Sequence, residues 1–102
     1  MGDRGNIIVK HGDSQVYLYT HWGGSGLKET AISALKRGEE RWNDGQYLAR
    51  IIFCEMVGED VNGLTGYGIT SEECDGGVTV FVDVGKQEID GVSFTEAIKD
   101  ER

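Results

Sequence analysis

Between Tyr17 and Gly26 the apolar pattern of this chain changes its period, and no single type of secondary structure accommodates both halves. Before the break, Val16, Leu18 and Thr20 alternate with Tyr17, Tyr19 and His21, the two-residue repeat of a strand. After it, Leu27, Ala31, Ala34, Leu35, Gly38 and Trp42 fall on one stripe at helical spacing. Gly23-Gly24-Ser25-Gly26 separates the two. The chain must therefore combine sheet and helix across a tight, glycine-rich junction.

The rest follows by the same reading. Asn6 to His11 and Gln15 to His21 are β-type runs joined by Gly12-Asp13-Ser14, a hairpin connection. The Tyr17, Tyr19 and His21 face is aromatic rather than charged, so it is covered or lines a groove. Ser25 suits the N-cap of the first helix, Glu29 falls in its first turn, and Arg37 and Arg41 fall near its end, as the helix dipole favours. Asn43-Asp44-Gly45 stops that helix, and Asp44 can cap another. Gln46 to Val57 is apolar nearly all round. Periodicity leaves helix or central strand open there, and length and Asp44 favour helix. Leu64 to Thr70 reads as a short strand, Ser71 to Gly77 as an acidic loop, and Val78 to Val84 as a strand with four valines on one face. Gln87 to Ile89 follows, and Ser93 with Glu96 forms a capping box for a terminal helix. The fold class expected is α+β: one domain over residues 1–102, an antiparallel or mixed sheet of about five strands, and two to three helices, in the order β-β-α-α-β-β-β-α.

Sixteen glycines and no proline mean that glycine alone punctuates the turns. No apolar run is long enough to span a membrane, and Met1-Gly2-Asp3-Arg4-Gly5 lacks the pattern of a signal peptide. Cys54 and Cys74 have no metal-type spacing and read as free thiols of a cytoplasmic protein. The net charge of −8 is divided unevenly: residues 1–50 carry seven basic and six acidic side chains, residues 51–102 three basic and twelve acidic. The acidic half is a poor partner for nucleic acid, which requires clustered Lys and Arg. It is a natural one for a basic protein surface.

Candidate chemistry centres on the strand–glycine–helix junction. Backbone N–H groups at a helix start carry partial positive charge, and glycine lets an anion approach them. Trp22, Gly23, Gly24 and Ser25 would form the loop, Trp22 with Tyr17 and Tyr19 a stacking surface, His21 a further ligand-binding residue, and Arg4, Arg41 and Arg50 the phosphate partners. The loop matches neither a P-loop, since no Gly-Lys-Ser/Thr follows, nor a dinucleotide fingerprint. His11 and His21 show no metal spacing, and Asp60-Val61-Asn62-Gly63 imitates only the start of a calcium loop. No metal or cofactor is expected, and no motif of nucleophilic catalysis is present.

The segments Gly2 to Ile7, Tyr17 to Gly24, Arg41-Trp42, Tyr47 to Phe53 and Gly66-Tyr67-Gly68-Ile69 resemble a group of small uncharacterised proteins of bacteria and their phages, across most of the chain. The resemblance implies no catalytic residue. It implies a phage accessory role, such as counteracting a host defence. The expectation is a non-enzymatic binding protein that holds a small anionic ligand such as a nucleotide. The alternatives are an acidic inhibitor or adaptor that binds a basic protein, and a small hydrolase or nuclease built on His21 with a carboxylate. Self-association into a homo-oligomer is compatible with each.

Overall fold

The computed structural model describes residues 3–72 and 77–99. Strand β1 (Gly5–His11) turns into β2 (Ser14–Thr20) through Gly12-Asp13, a connection one residue shorter than the sequence suggests. Gly12 makes this turn with φ +65°, a conformation easy only for a residue without Cβ. A 3₁₀ turn at Gly24–Gly26 leads into helix α1 (Leu27–Arg37), and a second at Glu39–Arg41 precedes α2 (Gly45–Val57). Then come β3 (Tyr67–Thr70), β4 (Val78–Asp83), β5 (Glu88–Ile89), β6 (Val92–Ser93) and α3 (Phe94–Lys99).

The strands form one six-stranded mixed sheet in the order β3-β2-β1-β4-β5-β6. Central β1 is antiparallel to β2 and parallel to β4. The α+β class with three helices is the one expected, and the additional strand is β6. Its hairpin turns on Asp90-Gly91, at φ +51° and +85°, the paired positive angles that match the twist of the flanking strands. Of the expected acidic loop, residues 73–76 lie outside the described residues, Cys74 among them.

Register explains the core. Ile7 pairs with Leu18 and Val80, and Val9 with Val16 and Val82, so these side chains share one face of the sheet. Leu27, Ala31, Ala34 and Leu35 of α1, Leu48 and Ile52 of α2, and Phe94 and Ala97 of α3 all bury against that face. Tyr17, Tyr19 and His21 point to the opposite side and are half-buried. Of the four valines expected on one strand face, Val80 and Val82 of β4 and Val84 just after it are in the core, whereas Val78 is exposed where the strand begins.

Helix α2 resolves the ambiguity of its apolar run. Asp44 stands in extended geometry, φ −123°, and its Oδ1 accepts the Tyr47 N–H at 3.2 Å, the bond that an N-cap makes. Gly58 at φ +59° ends the helix. Helix α1 begins differently from expectation. Gly26 occupies its N-cap without a side-chain bond, because Ser25 lies inside the 3₁₀ turn and faces Asp3 instead. The stripe that ran on to Trp42 outlasts the helix: past the break at Gly38, the Trp42 ring folds back, donates to Leu35 O at 2.9 Å and meets Phe94 edge-on at 5.1 Å. At α3, Ser93 Oγ accepts the Glu96 N–H at 3.2 Å. No described helix is long and apolar enough to cross a membrane.

Candidate functional site

At the strand–glycine–helix junction, the loop amides are already bonded within the chain. Trp22 N and Gly23 N donate to Thr20 Oγ1 at 3.4 and 3.2 Å. Gly24 N donates to Asp3 O at 2.7 Å, Ser25 N to Asp3 Oδ2 at 2.9 Å, and Gly26 N to Gly23 O at 3.2 Å. Asp3 thus fills the position that an anionic ligand would take at this loop. The Ser25 hydroxyl and then the Ser25 N–H hold the Asp3 carboxyl below its ordinary pKa of 3.8, because both bonds favour the ionised form. Gly24 is glycine for a packing reason: a Cβ there would collide with Arg4 O, the same carbonyl that accepts Val78 N at 3.1 Å. Gly77, at φ +80°, is pressed against that carbonyl too.

The aromatic residues form a chain of contacts beside the loop. Tyr19 Oη lies 3.1 Å from His21 Nδ1, and the His21 ring meets Trp22 edge-on at 5.2 Å. Among the described residues, no carboxylate is bonded to the His21 ring. The Trp22 indole is half-exposed and lies over the backbone of Gly66, where φ is +100° and a Cβ would strike the ring. His21 N donates to Gly66 O at 2.8 Å, so the junction leans on the loop before β3.

The arginines do not converge on this junction. Arg4 adjoins it through its backbone carbonyl. Arg41 lies 5.0 Å over the Tyr47 ring, just before α2, whose first residue Gly45 donates to His11 Nδ1 at 3.2 Å. His11 ends β1 and Gly5 begins it, so the start of α2 lies at the end of β1 opposite the glycine loop, the two ends being about 20 Å apart by strand rise. Arg50 Nη1 lies 3.9 Å from Cys54 Sγ on α2, and Arg37 is paired with Glu55 at 3.0 Å. Among the described residues, no group of three or more His, Cys, Asp or Glu side chains could hold a metal ion.

A second region, which sequence reasoning passed over, is built from the end of α2, the loop 58–66 and β3. A cavity of about 170 Å³ opens there between Phe53, Val57, Val61, Thr65 and Tyr67. Beside it, Val61, Leu64 and Ile69 are 72, 98 and 62% exposed. Exposed Glu59 and Asp60 immediately precede Val61, with Asp60 also lining the cavity, and exposed Glu72 follows the end of β3. Arg50, against Cys54, is the last basic residue before Lys86 in sequence. The signal was present as Val61 and Leu64, two apolar residues among the polar and glycine residues of the loop.

The fold and the two regions together define an α+β protein with helices on one face of a six-stranded sheet. No family model matches the chain, and no curated protein or solved structure matches it.

Proposed function

We propose that this chain is a binding protein whose partner is another protein with a basic, partly apolar surface, engaged at the β3 edge. One observation carries this reading: Val61, Leu64 and Ile69 are exposed on and next to the segments that line a cavity, and exposed Glu59, Asp60 and Glu72 lie in or directly after those segments. Apolar side chains surrounded by like charge suit a partner that brings its own apolar anchor and the opposite charge. Under the phage resemblance, that partner would be a host component. The test is calorimetry on a partner captured by cross-linking. Binding should weaken as salt rises, and the double variant Glu59→Lys, Asp60→Lys should weaken it about tenfold or more. Reversal of Glu39 and Glu40, at the far end of α1, should leave it unchanged. Salt-independent binding of full strength by the Glu59→Lys, Asp60→Lys chain would sink the reading.

A second reading, a small anionic ligand such as a nucleotide, draws support from the half-exposed Trp22 ring beside His21. Such a ligand would stack on Trp22 and compete with Asp3 for the loop amides. Asp3→Asn should then increase the thermal stabilisation given by mono-, di- and cyclic dinucleotides. Absence of any nucleotide-dependent shift in both chains would remove it.

A further inference from the structure

The protein-binding reading leaves open how the partner attaches, and the β3 edge supplies a specific answer. The β2–β3 ladder pairs Tyr17 with Thr70, Leu18 with Ile69, Tyr19 with Gly68 and Thr20 with Tyr67. One step beyond it, His21 N donates to Gly66 O. Hydrogen-bonded and non-hydrogen-bonded pairs alternate along an antiparallel ladder. The bonded pairs are therefore those of Gly66, Gly68 and Thr70, and the N–H and C=O groups of Tyr67 and Ile69 point away from β2. Among the described residues, no strand lies beyond β3. Tyr67-Gly68-Ile69-Thr70 also carries none of the usual protection of an edge, neither charge nor proline.

The side chains of the same two residues share the helix face, because they pair with Leu18 and Thr20, which are in the buried layer. Helix α2 packs against β1 and β2, and Ile69 is left exposed beyond its cover. A strand added beside β3 would bond to Ile69 and place its directly opposed side chain on that same face, next to the cavity under Phe53 and Val57. A cavity of about 170 Å³ is large enough for an aromatic or branched aliphatic group, since a dry cavity of roughly 150 Å³ accepts benzene.

We infer that β3 is a docking edge for an extended segment of the partner, which adds as a further strand, seats one apolar side chain in the Phe53–Tyr67 cavity and carries Lys or Arg at its flanks. Charge selects this occupant over a second copy of the chain. A two-fold pairing of β3 with itself would bring Glu59, Asp60 and Glu72 of both copies together.

The inference rests on the protein-binding reading and is separable from it. The probe is a library of ten-residue peptides in which Thr alternates with varied apolar residues, flanked on each side by two lysines. Binding should slow amide exchange at Tyr67 and Ile69 specifically. N-methylation of the peptide residue opposite Ile69 should weaken binding about tenfold or more, as should glutamates in place of the flanking lysines. Ile69→Pro removes an edge donor without removing a β2 bond and should abolish binding, whereas Ile69→Ala keeps the donor and should weaken it only in part. Strand addition is overturned if no library member protects these amides, or if the N-methylated peptide binds as well as the parent. It is overturned equally if both amides are protected without peptide in a concentration-dependent dimer. Loss of partner binding in Glu59→Lys, Asp60→Lys with no protection at Ile69 would retain the protein-binding reading and reject the strand.

Discussion

Asp3 and Gly24 show how a residue pattern suited to a ligand can be consumed by the fold. The loop offers N–H groups in the geometry an anion wants, and the chain supplies the anion itself. Because the Asp3 carboxyl has a lower pKa folded than unfolded, its charge contributes stability that is fully present above its ordinary value of 3.8 and is lost as pH falls through the lowered one. Asp3→Asn should therefore lower Tm near neutral pH, and the gap from wild type should narrow as pH falls below 3.8, which a melting series over pH will show. Gly24→Ala must push aside the Arg4 carbonyl and should cost about 2–3 kcal/mol in urea unfolding. Gly26→Ala, two residues on, meets open space and should stay within about 1 kcal/mol of wild type. The two measurements together separate tight packing from mere loop flexibility.

At the level of elements, what sequence could reveal depended on whether the deciding interaction was local. Helix α2 was legible because Asp44 and its target, the Tyr47 N–H, lie three residues apart. Asp44→Ala should destabilise the protein by about 1 kcal/mol, read from the urea midpoint at unchanged slope. The capping bond at α3 and the strand character of β1, β2 and β4 were legible for the same reason. The start of α1 was not: Ser25 looks like a cap until Asp3, twenty-two positions earlier, claims it. Strand β6 is only two residues long, too short for any period to register, although the turn at Asp90-Gly91 that leads into it is legible from the dipeptide and has both φ angles positive. In the candidate site, Tyr19, His21 and Trp22 are neighbours, since consecutive strand and loop residues stay together. Arg41 was not brought to them, because its distance along the chain said nothing of which end of β1 it would occupy. The β3 patch was missed because Leu64 to Thr70 reads as one short strand, whereas the strand begins only at Tyr67 and leaves Leu64 in the loop with Val61; the exposure of Ile69 is a consequence of how far α2 extends over the sheet.

Across the whole molecule, eighteen carboxylates face ten basic side chains. The ion pairs among the described residues, Lys28–Asp90, Arg37–Glu55 and Lys99–Glu96, are all at the surface and contribute little each. Self-repulsion of the excess negative charge outweighs them. Raising salt from about 20 to 300 mM should accordingly raise Tm, and a fall would show that the pairs matter more than the net charge. The central place of β1 has a consequence for synthesis. The ribosome releases this strand before β4, and β2 closes one of its edges as soon as the Gly12-Asp13 turn forms. The other edge belongs to β4, since Gly5 pairs with Val78 and Lys10 with Asp83. At about 5–20 residues per second, a nascent chain spends several seconds with that edge bare while both long helices are translated. During this interval the core has a sheet of at most three strands to close on, and one edge of its central strand stays unpaired.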